Sequence, residues 1–128
     1  MEQAPQRSTR QRTAIRATVD QAGRPLLAQE ILELAQLEVP GLSLATVYRN
    51  LKSLVEGAEL QVVQLPGENP RYEAVHGHHH HFLCRQCQRV FDIHACPGNL
   101  ARLAPAGFSV EDHELTLYGR CPDCRPAP

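Results

Sequence analysis

Two cysteine pairs constrain this chain more than any other feature. Cys84-Arg85-Gln86-Cys87 and Cys121-Pro122-Asp123-Cys124 each form a CxxC turn, with residues 88–120 between them. A CxxC turn aims two thiolates at one ion, and two such turns complete a tetrahedron, the closed four-sulfur geometry of structural zinc. The alternative is disulfides or unrelated free thiols, which would suit an oxidising compartment. The N-terminus, Met1-Glu2-Gln3-Ala4-Pro5-Gln6-Arg7, is polar and unlike a secretory leader. No stretch approaches the ~18 consecutive apolar residues of a membrane span. A cytoplasmic chain with no membrane partner and with thiols available to zinc is expected.

A second cluster precedes the first CxxC. All seven histidines and all five cysteines of the 128 residues lie from His76 onward, and His78-His79-His80-His81 run without interruption. In an extended chain, alternation sends His79 and His81 to one side and His78 and His80 to the other. Each pair is a ready bidentate set, with Glu73, Asp92, His94 and His113 as further ligands. Imidazole plus carboxylate binds Zn, Fe(II), Mn(II) or Ni(II) reversibly, unlike a four-thiolate cage. The bland alternative is a set of hydrogen-bonded polar side chains. Cys96, the leftover cysteine, is read first as a packing residue, with a thiolate ligand as the alternative.

The change in composition near residue 76 divides the chain. Residues 1–75 contain no metal-type side chain except carboxylates; residues 76–128 carry both clusters. The first part reads as a helix from Ser8 or Thr9 to Ala22, a second from Ala28 to Leu37, and a third N-capped by Ser43. On the third, Leu44, Val47, Leu51, Leu54 and Val55 share one face. Ala45, Thr46, Arg49, Asn50 and Ser53 share the other, with Tyr48 at the border. That outer face has no acid until Glu56, and it pairs small residues with Arg and Asn, which read base edges. A solvated polar face is the rival reading. Residues 60–65 and 71–75 form a hairpin around Pro66–Pro70. Three helices followed by a hairpin is the winged helix-turn-helix order. The wing turn carries Glu68, a poor phosphate contact. Strands near 79–84 and 89–93, with 108–110 and 113–118 read together as a third, and a helix from Cys96 to about Ala104, make the second part a three-stranded antiparallel sheet plus a helix. The fold class is α+β.

Net charge excludes a polycation that coats nucleic acid, since thirteen basic residues face fourteen acidic ones. The basic start is local: Arg7, Arg10, Arg12 and Arg16 stand against Glu2 alone in the first sixteen residues. It suits either phosphate contact or a solvated helix face. Two rival functions compete with DNA reading. A hydrolytic zinc site would use two histidines and a carboxylate, but there is no HExxH and no nucleophile elbow. A zinc-stapled module that binds only protein has no need of an acid-free helix face. A non-enzymatic DNA-binding protein is expected.

The run Ser43-Leu44-Ala45-Thr46-Val47-Tyr48-Arg49-Asn50-Leu51, then Arg71-Tyr72-Glu73, His78 through Cys87, and His113 through Cys124, resembles the ferric uptake regulator family from about Arg7 to Cys124. The resemblance implies a dimeric repressor with a winged-helix N-domain and an α/β dimerisation domain, gripping a pseudo-palindromic double-stranded operator when loaded with a regulatory divalent metal. It assigns structural zinc to Cys84, Cys87, Cys121 and Cys124. It assigns the sensor ion to Glu73, His79, His81 and Asp92, and a second ion to His78, His80 and His113. Tyr48 and Arg49 would face the major groove, with Thr46 and Asn50 on the same helix, and Arg7 would enter the minor groove. Three positions depart from the family pattern. Pro25 stands where a histidine often completes the sensor site. No cysteine precedes the histidine run, where His76 is an available substitute. Asn99 stands where the second site usually has a carboxylate, leaving Glu111 or Glu114 as alternatives. Zinc, manganese and iron stay open as the sensed ion.

Overall fold

The computed structural model describes residues 7–125, and the chain divides into one compact unit up to His76 and another from Gly77. In the first unit, α1 spans Arg7–Ala22 and buries Gln11, Ile15 and Val19, one residue per turn. It already begins at Arg7, so Ser8 and Thr9 lie in its first turn rather than at its cap. Gly23, at φ +65, supplies the left-handed residue that ends it. Arg12 and Arg16 both bind Glu59 across the unit. Half of the basic start is therefore structural, while Arg7 and Arg10 are exposed.

Strand β1, Leu26–Leu27, leads into α2, Ala28–Ala35. Glu30 accepts the Leu27 N–H at 3.1 Å and is held by Arg24 at 2.7 Å, which satisfies the helix start. Helix α3 spans Leu44–Glu56, with Val47, Leu51 and Leu54 fully buried. Ile15, Val19, Ile31, Ala35 and these three form one apolar core. Strands β2, Leu60–Val63, and β3, Arg71–Ala74, make the wing hairpin, and β1 pairs with the other edge of β3. That third strand was not expected, because two residues are too few to show alternation.

Ser43 caps α3. Its Oγ accepts the Thr46 N–H at 3.2 Å and donates to Thr46 Oγ1 at 2.9 Å. Thr46 is thereby drawn inward to 8% exposure, so it does not share the outer face expected for it. Losing such a cap costs about 1 kcal/mol. Ser43→Ala should lower the stability of the first unit by that amount in a denaturant titration.

The second unit pairs β4, His80–Cys84, with β5, Val90–Ile93, and with β6, Thr116–Gly119. The β4–β5 pair is antiparallel, but β4–β6 is parallel, which corrects the all-antiparallel expectation. The reason is strand order. Strand β5 returns the chain to the end where β4 begins, Ile93 pairing with His80. The connection leaves and rejoins at that same end, and β6 enters beside His81, on the far side of β4 from β5. A third strand placed beside β5 would have started there too and closed a different sheet. The connection holds only a single 3-10 turn at Ala101–Leu103, not a helix from Cys96, and residues 108–110 form no strand. No helix among the described residues is long and apolar enough to cross a membrane.

Candidate metal centres and reading helix

Parallel pairing is what builds the four-cysteine centre. Cys84 ends β4 opposite Gly119, the last residue of β6, so the two CxxC turns leave the sheet at one end. A side chain at Gly119 would meet the Phe82 ring at 3.0 Å, which explains the glycine. The Sγ atoms of Cys84, Cys87, Cys121 and Cys124 lie within 4.8 Å of one another, and those of Cys87 and Cys121 are 3.8 Å apart. The N–H groups of Cys87 and Cys121 point at Cys84 Sγ from 3.5 and 3.4 Å. They draw that thiol down to about 6. Arg89 donates to Cys87 Sγ at 3.2 Å and lowers its pKa as well. A second guanidinium nitrogen lies between Cys121 Sγ, at 3.6 Å, and Asp123, at 3.1 Å. Cys124 is pushed up to about 12, first by its hydrogen bond with Cys121 and then by burial. A divalent cation is the charge that would let all four sulfurs ionise together. Donor type and number are those of a closed zinc site, and the cluster can hold zinc.

The histidines at the opposite end of β4 fall into two groups, as alternation requires. His79 and His81 each place Nε2 at 3.3 Å from Asp92 Oδ1. His81 and Asp92 are register partners across β4 and β5. His79 Nδ1 lies 2.7 Å from the Gly77 carbonyl oxygen, a bond that only an N–H can make. The imidazole therefore turns a proton-free Nε2 toward the carboxylate when neutral, and a cation suits the space between them. A ligating histidine commonly donates its other N–H to a carbonyl in this way. His94 is further off, its ring 6.0 Å from that of His79.

The other group contains His78, His80, His113 and, in addition, Cys96, with one ligand atom of each within 4.8 Å of the rest. Ring centroids are 4.5 Å apart for His78 and His80 and 5.0 Å apart for His78 and His113. His80 is 2% exposed, and burial followed by the neighbouring His78 lowers its pKa, which keeps the imidazole neutral. Cys96 is exposed and aims Sγ at His113 Nε2 from 3.2 Å, so it is not the packing residue expected. Asn99 caps the 3-10 turn through the Ala101 N–H at 2.8 Å. Glu111 and Glu114 are exposed and do not join the cluster. The signal for Cys96 was available in the sequence: an unpaired cysteine in the half that holds every other metal-type side chain.

In the first unit, Glu73 ends the wing hairpin. It accepts Gln61 Nε2 at 2.9 Å and lies 3.5 Å from His76 Nε2. Pro25 is buried before β1. On α3, Tyr48 is 51% exposed and Arg49 is exposed, the guanidinium braced at 3.0 Å by Thr46 Oγ1. Asn50 is half-buried and spends its amide on the Thr46 carbonyl at 2.9 Å. Ser43, Thr46 and Arg49 thus form one hydrogen-bonded chain that stiffens the exposed cation.

Comparison with known proteins agrees with this geometry. The chain is 32% identical over 101 residues to the peroxide operon regulator of Bacillus subtilis, covering 76% of this chain and 69% of that protein. It is 30% identical to ferric uptake regulation protein 2 of Mycolicibacterium fortuitum, covering 95% of this chain and 88% of the relative. A zinc-bound manganese uptake regulator superposes with a TM-score of 0.77 at 26% identity, over 91% of each chain. The model of the ferric uptake regulator family matches residues 3–118, and the chain belongs to that family.

Proposed function

We propose that this protein, a metal-sensing transcriptional repressor by family rather than an enzyme, grips its operator only when Glu73, His79, His81 and Asp92 share a divalent ion. The observation that carries the reading is the pair of imidazoles set on Asp92, with Nδ1 of His79 committed to a carbonyl. Zinc, manganese and iron(II) all accept such N/O donors. Because Glu73 belongs to the unit with the reading helix, an ion that takes ligands from both units selects one arrangement of the chain. The metal then acts by preferring the DNA-competent state without touching DNA. Zinc on the four cysteines keeps the second unit folded. Two copies associate through that unit, whose Leu103, Phe108, Leu117 and Tyr118 are exposed apolar side chains. The pair presents two α3 helices to a pseudo-palindromic duplex in the cytoplasm.

Selection of random duplexes by the zinc-stapled protein, with each ion and with chelator, tests the reading. Recovery of a half-site repeat only with a regulatory ion is expected. Recovery of the same duplexes with chelator would sink the gating. On that operator, Tyr48 and Arg49 contact bases, Asn50 and Thr46 support them, and Arg7 touches the backbone or minor groove. Arg49→Ala should weaken specific binding by roughly 1–3 kcal/mol in a mobility-shift titration at fixed salt, with nonspecific binding much less affected.

A further inference from the structure

The second histidine cluster has a sulfur in it, and its chemistry follows from that. We propose that Cys96 is the fourth ligand of His78, His80 and His113, making a tetrahedral three-nitrogen, one-sulfur site that takes zinc-like ions and discriminates against manganese. The inference rests on reading the three histidines as a metal set, and it adds the ligand that decides which metal they take.

Two independent observations point to a ligand here. Cys96 Sγ and the three imidazoles converge within 4.8 Å, with sulfur 3.2 Å from His113 Nε2. His80, 2% exposed, has an Nε2 that is buried and has no hydrogen-bond partner among the described residues. A buried polar atom without a partner is costly, and an ion would satisfy it once Nε2 has given up the proton that the present tautomer places there. His80 Nδ1 now accepts the Leu115 N–H at 3.1 Å. Ligation through Nε2 moves the ring proton to Nδ1, so the metal replaces that bond. The loop is held at both ends by bonds that ligation leaves intact: Ile93 pairs with His80, and Leu115 accepts the His81 N–H at 3.1 Å. Cys96 is then turned back by Pro97-Gly98, with Gly98 at φ +92.

Replacing an oxygen donor by thiolate changes selectivity. Sulfur and imidazole suit zinc and cobalt(II), whereas manganese prefers oxygen. The Asp92 set, with two nitrogens and a carboxylate, has no such bias, so the two histidine groups sort different ions.

Cobalt(II) is the probe, added to full-length protein whose four-cysteine centre already holds zinc. Thiolate ligation gives a near-ultraviolet sulfur-to-cobalt charge-transfer band, and tetrahedral geometry gives intense visible bands. Both are expected. Cys96→Ser should abolish the charge-transfer band and weaken cobalt binding at least about tenfold. His113→Ala should weaken both bands. One equivalent of zinc should bleach the spectrum, and excess manganese should leave it. Cobalt binding without the sulfur band would overturn the proposal, as would a band that survives Cys96→Ser, or bleaching by equimolar manganese. Operator binding in the same samples separates the two readings: metal-independent DNA binding with the band present defeats the gating alone, and gated binding without the band defeats Cys96 alone.

Discussion

Cys84→Ser should release the structural ion and unfold the second unit while the first keeps its structure. The two units differ in what holds them. The first buries a continuous core from Ile15 through Leu60. Among the described residues of the second, only Leu83, Cys84, Val90 and Cys121 are buried apolar side chains, and two of those are ligands. Four-thiolate zinc binding is worth roughly 10–16 kcal/mol at neutral pH, comparable with or larger than the whole stability of a typical domain, about 5–15 kcal/mol. Cys84 is the strongest choice because it accepts two backbone N–H groups and joins both CxxC turns. Metal analysis should show the four-cysteine zinc lost, together with any ion held by the histidines of the unfolded unit. Limited proteolysis should cut after His76 and leave a resistant N-terminal fragment. A Cys84→Ser protein that retains stoichiometric zinc and a protease-resistant second unit would defeat this account. Addition of a strong chelator to the parent protein should reproduce the same cleavage pattern, since ion and fold are lost together.

Glu73→Ala and His81→Ala should each abolish the metal response of DNA binding without unfolding the chain. Coupling between a ligand and a distant site is commonly about 1–3 kcal/mol, so operator affinity with saturating metal should fall by roughly 5- to 150-fold, to the level of the metal-free protein. The two variants differ in what else they disturb. His81 lies within β4, paired with Asp92 and Thr116 through the backbone, and an alanine keeps those bonds. Glu73 accepts Gln61 in the wing, so its loss also frees that amide. Circular dichroism and the zinc held by the four cysteines should match the parent in both cases. Equal operator affinity in parent and variants, with and without metal, would rule out the gate.

The parts of the fold that the sequence made legible are those with local causes. Ser43 before an apolar period, Gly23 after one, and the Pro66–Pro70 turn mark their elements without knowledge of the rest. The CxxC spacing and the alternation along His78–His81 are equally local, and the structure gathers the cysteines and separates the histidines accordingly. What escaped was set by distant partners. Leu26–Leu27 is a strand only because β3 offers an edge. The direction of β6 depends on which side of β4 it takes, and periodicity is the same on both. Thr46 occupies an outward angular position on α3, yet the Ser43 hydroxyl pulls it in. Cys96 joins His113 across a loop whose path no propensity specifies.

The parallel ladder between β4 and β6 has a consequence for how the protein matures. The four sulfurs sit at one end of this ladder and the His80 amide partner Leu115 at the other, so sliding the ladder by one step would spoil both ends simultaneously. His113 reaches its neighbours only once β6 has docked, and β6 is anchored by Cys121 and Cys124 beyond it. A chain still emerging from the ribosome therefore cannot bring His113 and Cys96 beside His78 and His80. Zinc on the four cysteines would pin the end of β6 beside Cys84 and so favour the approach of His113 to His78 and His80.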